Sequence, residues 1–450
     1  VLPDPEEVRA LESSSDPDKR SRWVDRWLNR PEYADRMAMT WSALLRNQRT
    51  FGPLSKPGTF AFHDWIRRSF AANQPFDQFV ADLLTARGEP TWDPAVFWYR
   101  AYSSPEELAD DVAQLFLGVR LQCARCHRHP TERWGPDDTR DFTAFFSRLG
   151  RKPTDDPVSP ALFLKREESP QPPRWLDGPP LDSLRPGDDP RDQLVYWLRR
   201  PDNPTFARTI VNRIWKKYLG RGLVEPEDDF RVSNPPSHPE LLDALAANLI
   251  ASGYDLKALA RAILTSRTYE RSSESAIVDA YDSTGFGRFV PRRLPAEVLL
   301  DAIDHLTGAP SKYEGLPRGF RAVALPDEGF DTPGGFLAAF GRPRRATACD
   351  CERSTGVNLS QSLLLLNGGE IERKVAHPEG RAARLSRDPR PVEEHVRELY
   401  RVALSREPTH EELAVSLSHL ARRRGEGKIV QGYEDLIWTL LNTLEFQFIL

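Results

Sequence analysis

The chain has four cysteines in 450 residues, and they fall in two close pairs, Cys123 with Cys126 and Cys349 with Cys351. The first pair lies in Cys123-Ala124-Arg125-Cys126-His127, a Cys-x-x-Cys-His run of the kind that attaches c-type haem. The spacing has a chemical reason. Two thiols must reach the two vinyl groups of one porphyrin, and the adjacent imidazole must lie over the iron as an axial ligand. Cys123 and Cys126 are therefore expected to hold haem c, with His127 as the proximal ligand. Trp134, Phe142, Phe145 and Phe146 follow closely. They are candidates for the wall of an apolar pocket, or else ordinary core residues at helical spacing. An ordinary Met sixth ligand from downstream is missing, because the two methionines, Met37 and Met39, both precede the motif. His63 and Met37 are the remaining candidates, and His129 is too close in sequence to reach.

A second chemistry uses much the same atoms. Cys123, Cys126 and one of His127 or His129 suit a tetrahedral zinc ion, with Cys349 or Cys351 completing the shell. A fully coordinated site of that kind is structural. The segment Cys349-Asp350-Cys351 is too short-spaced for an easy disulfide, so its cysteines read as ligands. If the two pairs meet in space, a metal staple is favoured; if they lie apart, haem is.

A third constellation is Asn212, Arg213, Asp228, Asp229 and Arg231. Paired carboxylates can serve hydrolysis of a polymer. The commoner role is a buried salt-bridge and capping network that fixes a turn between helices. The sequence carries no Ser/His/Asp order, phosphate-binding Gly loop or His-Glu-x-x-His motif.

Positioning these residues falls to helices. Apolar residues recur at helical spacing over 17–48, over 60–86 and from Pro105 to Leu121, which brings the first cysteine motif to the end of an amphipathic helix. Residues 150–190 are rich in Pro, Asp and Arg and read as an irregular link. Ser237 and Asp255 are candidate caps, Pro295 opens a helix that Gly308 closes, and Thr409 with Glu412 forms a capping box. Residues 309–357 read as irregular, and the last helix carries Leu436 to Leu441. The expected fold is mainly α and multi-helical, with two domains (1–149 and 191–450) joined by the Pro-rich segment 150–190.

Composition limits the partners. A hydrophobic share of 39%, a charged share of 28% and a net charge of −4 describe a soluble globular chain with no call for nucleic acid. No window is apolar enough for a membrane span. The start at Val1, in an acidic stretch, suggests a processed or trimmed form.

Several longer motifs are distinctive. Gln122-Cys123-Ala124-Arg125-Cys126-His127-Arg128-His129-Pro130, with Trp134, Asp137-Asp138 and Phe145-Phe146, resembles the planctomycete cytochrome-c-like domain. Asn203-Pro204, Asn212 to Trp215, Gly220-Arg221-Gly222, Asp228 to Arg231 and Asn234 to Ser237 resemble the planctomycete-specific domain that commonly follows it. So do Ser266 to Tyr269, Arg292 to Leu294 and Cys349 to Arg353. The resemblance covers nearly the whole chain, with the beginning of the first domain expected to be missing and the link shorter than usual. It implies an exported protein, periplasmic or at the cell surface, with no established activity. Three functions are thus expected in order: a haem-c protein with a redox partner; a non-catalytic scaffold with a structural zinc, bound to a surface protein or polysaccharide; and a surface polymer hydrolase.

Overall fold

Prolines set the rhythm of the helices. Pro31, Pro105, Pro136, Pro190, Pro204 and Pro239 each occupy the first position of a helix, where the missing N–H has no partner to lose and the fixed φ suits the turn. The run 17–48 is accordingly two helices, Lys19–Leu28 and Pro31–Leu44. The run 60–86 is likewise two, Lys56–Ala71 and Phe76–Leu84, parted at Asn73 (φ 50°) and Pro75. The computed structural model describes residues 3–49, 55–154, 160–166, 171–181, 184–185, 187–273, 284–354, 356 and 358–449. Among these the fold is mainly α, with two short antiparallel pairs of strands, Leu149–Lys152 with Ala161–Leu164 and Arg292–Arg293 with Phe448–Ile449. Part of the expected irregular link is therefore a hairpin ladder.

The chain divides into two compact units, one of Trp27–Val290 with Arg345–Asp350, the other of Val1–Arg26, Pro291–Arg344 and Cys351–Leu450. In the first, one continuous core runs from Ala34 to Ile263. Trp41 packs against Phe76 at 4.9 Å, Phe76 against Phe206 at 6.1 Å, and Phe206 against Tyr254 at 5.3 Å. Burying each such ring stabilises the fold by about 2–3 kcal/mol. Phe76 and Phe206 lie on opposite sides of the 150–190 segment, so packing is continuous where composition changes.

The second unit is built around the helix Ala296–Thr307, which begins after Pro295 and ends at Gly308 in the left-handed region. It packs against Val392–Leu404 and Ile429–Leu441. Glu297 on this helix is buried; burial pushes its carboxyl up, but the Arg353 guanidinium at 2.8 Å outweighs that and holds it at about 2. The capping box at Thr409 forms as expected, with Glu412 reaching back to the Thr409 amide at 2.7 Å. Asp255 likewise caps Leu256–Leu264, whereas the helix Pro239–Ala251 starts after His238 rather than Ser237.

Candidate cofactor attachment site

The cysteine motif is reached through a change of helix type. The helix Pro105–Val112 runs into a single π turn, Ala113–Leu117, and stops at Gly118 with φ 65°. Leu108, Val112, Leu115 and Phe116 are buried, as their spacing predicts. Gly118 is required twice over. Its backbone is left-handed, and an added Cβ would lie 2.4 Å from the Phe230 ring. After the three residues Val119–Leu121, the chain makes one 3-10 turn over Gln122–Arg125.

That turn anchors itself by Ala124, which is fully buried, and turns Cys123 and Cys126 outward as free, exposed thiols. Arg125 pairs with Asp110 of the preceding helix. Burial raises the Asp110 carboxyl to about 6, against the opposing pull of that guanidinium. His127 is exposed, and its Nδ1 lies 2.8 Å from the Arg128 carbonyl. A carbonyl only accepts, so Nδ1 carries a proton, and in the neutral ring Nε2 then presents its lone pair, the tautomer of a ligating imidazole. His129 takes the opposite tautomer, because the Thr131 amide donates to its Nδ1 at 3.3 Å.

The polar set from the second sequence domain converges on this loop. Asp228 has no exposed surface and accepts from Gln114 Nε2 at 2.7 Å and Arg120 Nη2 at 2.5 Å. Gln122, the residue before the first cysteine, donates to Gln114 at 3.1 Å. On the far side, Arg231 pairs with Asp229 at 2.8 Å and donates to Thr131 at 3.4 Å, while Val232 N–H donates to Glu132 at 3.1 Å. Arg213 donates to the carbonyls of Gln114 and Leu115 in the π turn. Asn212 closes the local turn through Val224, accepting its amide at 3.0 Å and donating to its carbonyl at 2.8 Å. The set is thus a structural network, and it braces the motif at both ends. Gln114, Arg120, Gln122 and Glu132 are members that residue type alone did not single out.

Several expectations are corrected. Cys349 and Cys351 are disulfide-bonded whereas Cys123 and Cys126 are free, so in a chain of four cysteines the bond joins Cys349 to Cys351. An extended Cys-x-Cys places its Cα atoms near the limit of about 7 Å for a bridge, and the helical turn over Asp350–Glu352 draws the chain inside it. Disulfide sulfur is not a thiolate ligand. Among the described residues no group of three His, Cys, Asp or Glu side chains is placed to hold a metal ion, so the zinc shell drawn from Cys123, Cys126, His127, His129, Cys349 and Cys351 is not assembled. Trp134, Phe142, Phe145 and Phe146 are buried in the core, with Phe142 packed on Phe145 at 5.8 Å and Phe146 at 6.4 Å. They do not wall an open pocket. Met37 is buried in the same core, and His63 is buried with its Nδ1 at 2.9 Å from Ser42 Oγ. For haem, therefore, the anchoring atoms fit: two free outward thiols and an adjacent exposed imidazole held through Nδ1–H. The internal wall and sixth ligand are not supplied by the expected residues.

Residues 190–420 match the model of PSD1, described as a protein of unknown function (DUF1553). The chain belongs to that family. Residues 1–151 match PSCyt2, also described as a protein of unknown function (DUF1549). The two matches meet across the Pro-rich segment, where composition divides the chain, although the packed core runs through it. Neither description assigns haem, a metal or an activity. No curated protein and no solved structure matches the chain.

Proposed function

We propose that Cys123–His127 is an attachment turn for haem c, and that the chain is an exported electron-transfer protein. The observation that carries this is the presentation of both thiols, free and exposed, on a turn fixed from beneath by buried Ala124 and from both ends by the Asp228–Arg231 network. When bound, haem supplies a one-electron iron couple. Cys123 and Cys126 would hold it by thioether bonds, and His127 Nε2 would ligate its iron, with the ring oriented by the Nδ1–H bond to the Arg128 carbonyl. Export is supported by the Cys349–Cys351 disulfide, a bond that persists in oxidising compartments. The carboxylates of the polar set are committed to Gln114, Arg120 and Arg231, which disfavours a hydrolase at that place.

The test is production alongside a cytochrome c maturation system, comparing wild type with Cys123→Ser, Cys126→Ser, the double substitution and His127→Ala. The wild type is expected to carry covalent haem and the double variant none, while His127→Ala keeps the adduct with an altered absorption spectrum. A wild type without covalent haem, under conditions that mature a control cytochrome, contradicts the proposal.

A further inference from the structure

Trp92 is 86% exposed, second among the described large apolar side chains after Val232. An indole left in water forgoes about 2–3 kcal/mol of burial, and this one is held out on a rigid base. Its amide and that of Asp93 both donate to the Glu89 carbonyl, at 3.0 and 2.9 Å. Asp93 then caps the short helix Pro94–Ala101 through the Ala95 amide at 3.1 Å, and that helix buries Val96, Phe97, Trp98 and Tyr99. The exposure is therefore a property of a fixed turn.

Trp92 lines an open cleft of about 450 Å³ together with Trp65, Arg68, Gln74, Thr91 and Pro94. Trp65 is set from behind by stacking on Phe62 at 5.8 Å and on Phe79 at 5.0 Å, with interplanar angles of 14° and 23°. Two positioned indoles thus share one solvent-open cleft. The polar lining is mixed in kind. Gln74 commits its amide nitrogen to Asp82 at 2.7 Å, which leaves its carbonyl to accept. Thr91 is exposed and its hydroxyl both donates and accepts. The Arg68 charge is balanced by Asp64 at 2.8 Å.

We infer that this cleft is a binding site for a neutral polysaccharide. A pyranose ring offers a flat C–H face to an indole and a rim of hydroxyls that act as both donors and acceptors, which is the combination that Trp65, Trp92, Gln74 and Thr91 meet. A balanced guanidinium gives no preference for a charged sugar. The open form suits a chain lying across the cleft better than an enclosed small molecule. A proline-rich peptide also docks on aromatic side chains, but its imide backbone has few N–H groups to donate to the Gln74 carbonyl. The site is independent of haem attachment and stands whether or not the cysteines carry a cofactor.

The experiment is retention of the full chain by insoluble cellulose, xylan and chitin, with tryptophan-fluorescence titration by the matching hexasaccharides. Wild type, Trp92→Ala and Trp92→Tyr are compared. Retention by at least one polysaccharide, weakened at least tenfold in Trp92→Ala and largely restored in Trp92→Tyr, is the expected result. Because Trp92 packs little in the folded chain, Trp92→Ala is expected to keep the wild-type circular dichroism, so loss of retention reports the site. No retention on any of the three, retention indifferent to Trp92→Ala, or Trp92-dependent binding of a polyproline peptide in place of sugar would each overturn the inference.

Discussion

Asp228 is the residue on which the architecture of the cysteine loop most depends. It is fully buried and is the shared acceptor for Gln114 and Arg120. Replacing it by Ala leaves a buried amide and a guanidinium without their acceptor, which costs about 2–4 kcal/mol. Chemical denaturation is expected to show that loss, and amide exchange to show faster opening of residues around Gln122. Unchanged stability would mean that water replaces the carboxylate at no cost. The carboxylates and arginines of this set are recognisable from residue type as a salt-bridge network. Their attachment to the cysteine loop is not, because Gln114 and Asp228 are 114 residues apart and polar pairing leaves no periodic trace. The same limit applies to Trp134, Phe142, Phe145 and Phe146: their spacing marks a buried face, and only packing decides whether that face meets a cofactor or other side chains.

At the scale of elements, boundaries were legible wherever a local chemical device sets them. Pro295, Gly308, Asp255 and the Thr409–Glu412 box all do what their types imply. The runs 17–48 and 60–86 read as longer helices than they are, since apolar spacing continues across the breaks at Pro31 and Asn73–Pro75. The π turn before the motif has no sequence signature; it appears where the Pro105–Val112 helix must end on Gly118 beneath Phe230. Single π turns often mark functional places. Gly118→Ala combines a left-handed backbone with a methyl group against the Phe230 ring, and a loss of roughly 2 kcal/mol or more in urea unfolding is expected. A neutral result would show that the π turn relaxes to accept the methyl group. The Cys349–Cys351 bond belongs to this scale too, because local chain turning decides whether so short a spacing can close.

For the whole molecule, apolar spacing predicted a mainly helical chain correctly, and the two-domain arrangement matches the two family models. Compactness follows another rule. Trp41, Phe76, Phe206 and Tyr254 join one core, and apolar packing is indifferent to the proline-rich chain that separates its contributors. Within that core His63 has its pKa lowered to about 3, mainly by burial and further by Arg345 and Arg67. The unfolded chain takes up this proton near pH 6.5 and the folded chain only near pH 3, so stability from neutral His63 is present above 6.5 and lost as pH falls toward 3. The slope is roughly 1.4 kcal/mol per pH unit inside that window. His63→Gln is expected to flatten it in thermal melts between pH 4 and pH 7, while equal slopes for the two proteins would place the acid sensitivity elsewhere.

The central claim concerns Cys123, Cys126 and His127, and the most direct measurement is the intact mass and visible spectrum of the wild-type chain matured for c-type haem. One haem-sized mass increment together with a Soret band, both surviving denaturation because the bonds are covalent, is the predicted result. A chain of apoprotein mass with no Soret band, beside a control cytochrome that matures normally, would contradict it.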